Sequence, residues 1–173
     1  MSLAPAITDL EQLKNWPVVF QLLAWRASAV QAVRYDRNEL SITVERGAIR
    51  DACALLRDDP ATRFNFLSDL TCVDWYPAEP RFEVVFHLLS IPNVRSQPPA
   101  GLGRVRLKVR LHGDDPRLES VTSVWPSANF FEREVFDLFG VRFEGHPYLR
   151  RLLMPENWDG NPLRKDYPVE GYR

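Results

Sequence analysis

Alternating hydrophobic and polar positions predict β-strands in the first two thirds of the chain. Leu40, Ile42 and Val44 alternate with polar residues, which is the period of a half-buried strand. Segment 30–35 precedes this run across the polar stretch 36–39. The two segments therefore predict a β-hairpin.

Three further strands are predicted between residues 70 and 112. Segment 70–76 is short, and segment 82–91 is apolar on both faces, so we expect the latter to be an inner strand covered on both sides. The polar, Pro-rich segment 92–101 predicts a loop. Segment 103–112 alternates regularly and places one apolar row inward: Val105, Leu107, Val109 and Leu111.

Helical spacing of apolar residues predicts two helices in the first sixty residues. In segment 9–23, Thr8 and Glu11 have the spacing of a capping box, and Pro17 is expected to end or interrupt the helix. Segment 48–57 places one apolar face toward the core: Ile49, Ala52, Cys53 and Leu56.

A third helix is predicted from residue 127 or 129 to Gly140. Asn129 and Glu132 have capping-box spacing, and Gly140 is a typical terminating residue. The order of elements predicts an α+β domain over residues 1–139, with a mixed sheet of about five strands packed with helices. Residues 140–173 are predicted to be an extended C-terminal docking tail.

The tail has no helical or strand period, but it is rich in large apolar residues. Half of the eight glycines and four prolines lie in it. An ordered segment of this length without secondary structure is rare in a compact domain, and disordered tails are poor in such apolar residues. We therefore expect the tail to pack on a partner protein.

Composition excludes several classes of function. The formal net charge of −1 gives no general attraction to nucleic acid, and no apolar run is long enough to span a bilayer. The first twelve residues lack the features of a signal or transit peptide, so we expect a bacterial-type cytoplasmic location. Cys53 and Cys72 are too few for an iron–sulfur cluster and are expected to be buried thiols.

Two groups of residues suggest ligand sites but are better explained otherwise. One strand face carries four cations that a nucleic-acid platform would combine with exposed aromatics, which are absent. A solvated or partner-facing surface is therefore favoured for Arg104, Arg106, Lys108 and Arg110. The three histidines are far apart in sequence, so they predict no metal site, and His87 is expected in the core.

Acidic residues are concentrated on the third helix. They are Glu132, Glu134 and Asp137, and a pair of these carboxylates could do acid/base work. The alternative is an ion-pair network, because Arg133 and Asp137 have i, i+4 spacing. The network is favoured, because no nucleophile or phosphate-binding loop lies nearby. In the tail, arginines alternate with large apolar residues, as in many protein interfaces.

Three blocks of this region carry a family resemblance. They are EREVFDLFGV at 132–141, GHPYLRR at 145–151 and PLRKDYP at 162–168, and a weaker match extends through 70–74 and 81–85. In motif order and α+β pattern the chain resembles the C subunit of the respiratory NADH-quinone oxidoreductases (complex I). Tyr148 and Asn157 depart from the residues usual in that family.

The resemblance implies a structural role without catalytic residues. It implies a non-catalytic subunit of the hydrophilic arm of a proton-pumping complex, peripheral to the cytoplasmic side of the bacterial inner membrane. The implied partners are the hydrogenase-like quinone-site subunit (D type), which this chain braces, and other hydrophilic-arm subunits. No nucleic acid and no direct membrane span are expected. The chain itself is expected to hold no cofactor or metal, whereas NADH, FMN, iron–sulfur clusters and quinone belong to the parent complex.

The matched blocks and the tail supply the expected partner interface. Its residues are Glu132, Arg133, Glu134, Asp137, Gly140, Gly145, His146, Pro147, Leu149, Arg150, Arg151, Trp158, Pro162, Leu163, Arg164, Lys165, Asp166, Tyr167 and Pro168. Two alternatives stay open at this point. One is the equivalent subunit of a membrane-bound nickel-iron hydrogenase or deazaflavin-linked dehydrogenase. The other is a free-standing enzyme that uses the carboxylates of the third helix.

Overall fold

A mixed five-stranded sheet forms the centre of the molecule in the computed structural model, which describes residues 5–91 and 103–170. The strands are β1 (Val30–Asp36), β2 (Glu39–Val44), β3 (Phe66–Asp74), β4 (Phe82–Leu89) and β5 (Arg104–Leu111). Their order is β1-β2-β5-β4-β3, with β2 and β5 parallel and all other pairs antiparallel. The predicted fold class and the hairpin are thus confirmed, whereas the predicted loop 92–101 lies outside the described residues.

Four α-helices accompany the sheet and contribute to one hydrophobic core. They are α1 (Leu10–Leu13), α2 (Pro17–Arg26), α3 (Ile49–Asp58) and α4 (Ala128–Phe139). The inward row of β5 and the apolar face of α3 are buried as predicted. Strand β4 is an inner strand, between β5 and β3, and most of its residues are buried on both faces. The third helix of the sequence prediction, α4, packs mainly against β3.

The cations on one face of β5 form ion pairs with carboxylates of the two neighbouring strands. Lys108 and Arg110 of β5 both bind the buried carboxylate of Glu83 on β4, at 2.9 and 2.8 Å. Arg104 and Arg106 pair with Glu39 at the start of β2. The four cations predicted to face solvent or a partner therefore have carboxylate partners within this sheet.

Several predicted helix and strand ends were wrong. Asp9, not Thr8, caps α1, because its carboxylate accepts the backbone N–H of Glu11 at 3.0 Å. Pro17, by contrast, interrupts the predicted helix as expected, because it starts α2, where its missing N–H is not needed. The strand predicted from residue 70 begins four residues earlier, at Phe66.

The capping box predicted for α4 is also wrong. Ser127 is the N-cap and makes no side-chain cap hydrogen bond. Glu132 turns into the core instead, where Ser120 and Val121 supply donors for its carboxylate. At the other end of α4, Gly140 has the predicted left-handed conformation, with φ +77°.

A small parallel pair, β6 (Arg117–Glu119) with β7 (Arg142–Glu144), was not predicted from the sequence. Its two central side chains, Leu118 and Phe143, are buried. The pair ties the segment after α4 to the segment before it. Among the described residues, no helix is both long and apolar enough to cross a membrane.

Candidate docking surface

Asp137 on α4 is the main attachment point for the tail. Its side chain is fully buried, and its Oδ2 accepts the backbone N–H groups of Leu152, Leu153 and Met154 at 2.9, 2.7 and 2.8 Å. Its Oδ1 accepts Nη1 of Arg151 at 2.7 Å. Burial alone would raise the pKa of Asp137, but these donors hold it below its usual value, so the carboxylate stays charged.

Arg151 extends the same network along the tail. It donates to the backbone carbonyls of Asp137, Trp158 and Gly160 at 3.2, 2.9 and 3.0 Å. Arg133 on α4 donates to the carbonyls of Arg150 and Arg151. The predicted ion pair between Arg133 and Asp137 is therefore wrong, because both side chains bind the tail.

Arg81 forms a second attachment point, near the end of the tail. It makes a forked pair with buried Asp74 at 2.9 and 2.8 Å and another with Asp166 at 2.9 and 2.6 Å. Asp74 also accepts the backbone N–H of Lys165 at 2.8 Å. Burial opposes the charge on Asp74, but Arg81 and the backbone amides of Lys165 and Tyr76 lower its pKa to about 2.

Glu132 serves a different segment from Asp137. It is fully buried and accepts Ser120 Oγ and the backbone N–H of Val121, both at 2.7 Å. Burial raises the pKa of Glu132 to about 7, because these two neutral donors offset only part of the desolvation. Glu132 and Asp137 thus bind separate structural segments, which agrees with the structural role favoured over acid/base chemistry.

His146 holds the loop between β7 and the tail. Its Nε2 lies 3.2 Å from the carbonyl oxygen of Asn129, and its Nδ1 accepts the N–H of Tyr148 at 3.0 Å. These two contacts match the neutral ring with the proton on Nε2. Burial, assisted by the nearby charge of Arg133, lowers the pKa of His146 and favours that neutral form.

The predicted interface residues occupy three different environments. Glu132 and Asp137 are buried. The partly buried residues are Arg133, Gly140, His146, Leu149, Arg151, Pro162, Arg164 and Tyr167. The exposed residues are Glu134, Gly145, Pro147, Arg150, Trp158, Leu163, Lys165, Asp166 and Pro168.

Helix α4 and the tail expose several large apolar side chains, while Val141 and Phe143 of the tail are buried. Of the twelve large hydrophobic residues that are markedly exposed in the described part of the chain, six lie on α4 or the tail. They are Phe130 (61%), Tyr148 (56%), Leu153 (60%), Trp158 (39%), Leu163 (51%) and Val169, which is fully exposed. Only Trp158 and Leu163 of these six were among the predicted interface residues.

Residue-level reasoning missed Asp74, Arg81 and Asn161 as tail contacts. Asn161 donates to the carbonyl of Asp137 at 2.9 Å. Asp74 and Arg81 lie 91 and 85 positions from their tail partners, so no local period could connect them. The only sequence signal was that both fall in the weaker family match.

The side chains that commonly bind metals are dispersed in the part of the chain that the structure describes. In the described residues, no group of three or more His, Cys, Asp or Glu side chains is arranged to hold a metal ion. Cys53 and Cys72 are free and buried, as predicted, and burial raises the pKa of the Cys72 thiol to about 12. Such a thiol stays protonated and is a poor ligand or nucleophile at neutral pH.

Comparison with known proteins identifies the family. The family described as "Respiratory-chain NADH dehydrogenase, 30 Kd subunit" matches residues 42–173. The NADH-quinone oxidoreductase C subunit of Roseiflexus sp. (strain RS-1) is 47% identical over 157 residues, covering 91% of this chain and 86% of that protein. The C subunit of Citrifermentans bemidjiense is 45% identical and covers 91% and 92% of the two chains.

A solved structure is also similar. It is described as "Nqo5 of the trypsin-resistant fragment (1-134) in P63 form", and it is 34% identical with a TM-score of 0.59, covering 76% of this chain and 99% of that one. The sequence match over most of the chain and the shared fold agree with each other. This chain therefore belongs to the family of NADH-quinone oxidoreductase C subunits, the 30 Kd subunit of respiratory-chain NADH dehydrogenase.

Proposed function

We propose that this chain is a non-catalytic docking subunit that braces the hydrogenase-like, quinone-reducing subunit (D type) in the hydrophilic arm of a proton-pumping complex. One observation carries the proposal. Polar contacts fasten the tail backbone to the domain, and large apolar side chains of the tail such as Leu153 and Leu163 stay exposed. Those side chains add little to the core of this chain, so their burial requires another protein.

The interface divides into contacting and supporting residues. The exposed aromatic and aliphatic side chains Tyr148, Leu153, Trp158 and Leu163 are the proposed contacts, since such residues dominate interface energies when buried. Asp137 and Arg151 are supporting residues, because their polar atoms are used within the chain. This division refines the interface expected from the sequence.

We also propose that residues 1–139 and 140–173 are separable units. The similar solved structure is described as a trypsin-resistant fragment, residues 1–134 of its own protein, and it covers 76% of this chain. That description supports a stable domain followed by a segment that is more open to protease. In this chain the tail offers exposed Arg150 and Lys165 as cleavage sites.

The remaining chemistry belongs to the parent complex in this proposal. NADH, FMN, iron–sulfur clusters and quinone are bound by other subunits, and the isolated chain has no catalytic activity. The chain associates peripherally with the cytoplasmic side of the bacterial inner membrane through its partners. The names of the relatives support an NADH-linked complex over the nickel-iron hydrogenase or deazaflavin-linked alternative.

A co-expression pull-down with the quinone-site subunit of the same genome tests the proposal. The full chain is compared with a chain that ends at Phe139. A double variant, Leu153→Ser with Leu163→Ser, removes two outward side chains. Phe20→Ser is the matched control, because Phe20 is similarly exposed but lies on α2.

We expect the full chain and the Phe20→Ser control to bind, and the other two forms to lose most binding. Circular dichroism of each form checks that the domain is folded. A folded full chain that fails to bind the quinone-site subunit would contradict the proposed partner. Equal binding by the double variant would contradict the proposed contact surface.

A further inference from the structure

Arg164 is the one tail arginine of the described region whose guanidinium is half-buried without a carboxylate. Its Nε donates to the carbonyl oxygen of Phe139 at 2.6 Å, and its guanidinium lies over the ring of Phe82, 5.2 Å from the centroid. Its two terminal nitrogens make no hydrogen bond or ion pair with any described residue. Burial and the neighbouring charge of Arg81 lower the pKa of Arg164, and the charges of Asp166 and Asp74 offset this lowering only in part.

The carboxylates near Arg164 are already engaged. Asp74 and Asp166 both form forked pairs with Arg81. Lys165 contacts this group through its backbone N–H, and its ammonium makes no ion pair with a described residue. Both carboxylates thus bind Arg81, and neither forms an ion pair with Arg164.

An open groove of the tail brings this positive charge together with apolar side chains. Arg164 and Lys165 line it with Trp158, Pro162, Leu163 and Pro168. The carboxylate residue Glu170 also lines the groove and is exposed. Trp158 and Leu163 are also outward-facing members of the docking surface. The groove thus combines apolar contact area with a guanidinium whose terminal nitrogens make no hydrogen bond with a described residue.

We propose that this groove receives a carboxylate side chain of the partner protein, carried on a segment with apolar neighbours, and that the terminal nitrogens of Arg164 bind it. The inference rests on the proposed function and names the chemistry that the partner must present. A guanidinium offers two parallel N–H donors that match the two oxygens of a carboxylate. A partner that covered the groove without an acceptor would leave a buried, unpaired charge, which is strongly unfavourable.

Arg164→Gln tests this contact selectively. The amide nitrogen of Gln occupies the position of Nε along the side chain, so it can keep the hydrogen bond to Phe139, while the two terminal nitrogens are removed. Arg37→Gln is the control for loss of one positive charge. Arg37 lies in the β1–β2 turn, at the edge of the sheet opposite to β3.

The measurement is the dissociation constant between the full chain and the purified quinone-site subunit, at two salt concentrations. We expect Arg164→Gln to weaken binding by about 30-fold or more, and Arg37→Gln by less than about twofold. The salt dependence of binding falls in the Arg164→Gln variant. Arg164→Lys keeps the charge but loses the fork, and it is expected to fall between the two.

The outcomes separate this inference from the proposed function. If the wild-type chain binds and Arg164→Gln binds equally well, only the carboxylate contact is overturned. If the wild-type chain does not bind, the partner is wrong.

If the isolated Arg164→Gln variant melts well below the wild type, a charge swap replaces this test. Arg164→Glu in this chain is then paired, in turn, with substitutions of single Asp or Glu residues of the partner by Arg, and binding of each pair is measured. Restored binding in one combination supports the contact, and failure of every combination overturns it. Arg164-dependent self-association of this chain would assign the groove to a second copy and overturn the proposal.

Discussion

Glu132 and Asp137 lie on the same helix and are both buried, but their environments favour opposite charge states. Asp137 receives three backbone amides and one guanidinium nitrogen, whereas Glu132 receives one amide and one hydroxyl. The number and charge of the donors decide whether a buried carboxylate stays ionised. The presence of an acidic residue on this helix does not by itself show whether its carboxyl group is charged.

Glu132→Gln is expected to remove the destabilisation that ionised Glu132 causes in the folded chain at neutral and higher pH. The folded pKa of about 7 lies above the unfolded value of 4.5, so the favourable contribution of Glu132 is complete below pH 4.5. It is lost as pH rises through 7, by about 3 kcal/mol. The difference in unfolding free energy between wild type and variant, measured by urea titration from pH 4.5 to 8, checks this. A difference that stays constant with pH would contradict it.

Arg150 and Arg151 are adjacent but are expected to differ strongly on substitution. Arg151→Gln leaves the buried charge of Asp137 without its ion pair and should cost about 3 kcal/mol in unfolding free energy. Arg150 lies over the exposed ring of Tyr148, so Arg150→Gln should cost less than about 1 kcal/mol. Thermal melts of the two isolated variants provide the comparison. Equal losses would show that the Asp137 network does not hold the tail.

Among the secondary-structure elements, helix α4 ends at Gly140, and this residue determines where the tail begins. Gly140 has φ +77°, a conformation that other residues rarely adopt. A Cβ at this position would lie 2.6 Å from Asn161 Oδ1 and from Arg164 Nη2. The absence of a Cβ at Gly140 therefore permits both the left-handed end of α4 and the close approach of the tail residues Asn161 and Arg164.

Gly140→Ala and Gly145→Ala form a matched pair, because both glycines have nearly the same positive φ. Gly145→Ala has free space around the new Cβ and should cost about 1 kcal/mol from backbone strain alone. Gly140→Ala should cost about 2 kcal/mol or more, since Asn161 and Arg164 must also move. Thermal melting measures the costs, and trypsin cleavage of the tail should accelerate only in Gly140→Ala. A greater loss in Gly145→Ala would be inconsistent with this explanation.

At the level of the whole molecule, two networks far apart in sequence hold the tail. One surrounds Asp137 on α4, and the other surrounds Asp74 and Arg81 at the ends of β3 and β4. Both networks depend on ionised carboxylates that accept tail amides. Attachment of the tail should therefore weaken in acid, while the apolar core does not depend on these charges.

The amide of Lys165 is expected to report this weakening in an NMR titration of the isolated chain. Asp74 has a folded pKa of about 2 against an unfolded 3.8, so its contribution is present above pH 3.8 and is lost as pH falls through 2. The loss amounts to about 2 kcal/mol. The Lys165 amide should shift near pH 2, and the Val121 amide, bound to Glu132, should shift near pH 7. A Lys165 amide that titrates with an ordinary carboxyl pKa would contradict the proposed network.

The sequence by itself determined the elements of the domain, because hydrophobic periodicity is a local property. The rows Leu40–Val44 and Val105–Leu111 alternate, and the apolar face of α3 repeats with the helical period, so their burial followed from the chain alone. Gly140 marked the end of α4 for a similarly local reason. The family blocks also located the region of the candidate docking surface.

Only the tertiary structure decided how the residues of that surface are used. Arg81 meets Asp166 across 85 positions, and Asp137 turns toward the tail although Arg133 lies one helical turn away. Side chains choose among possible partners according to burial and the available donors, and those depend on the folded arrangement of distant segments. For the same reason, only the structure shows that Asp137 and Arg151 use their polar atoms within the chain, while Leu153 and Leu163 are exposed.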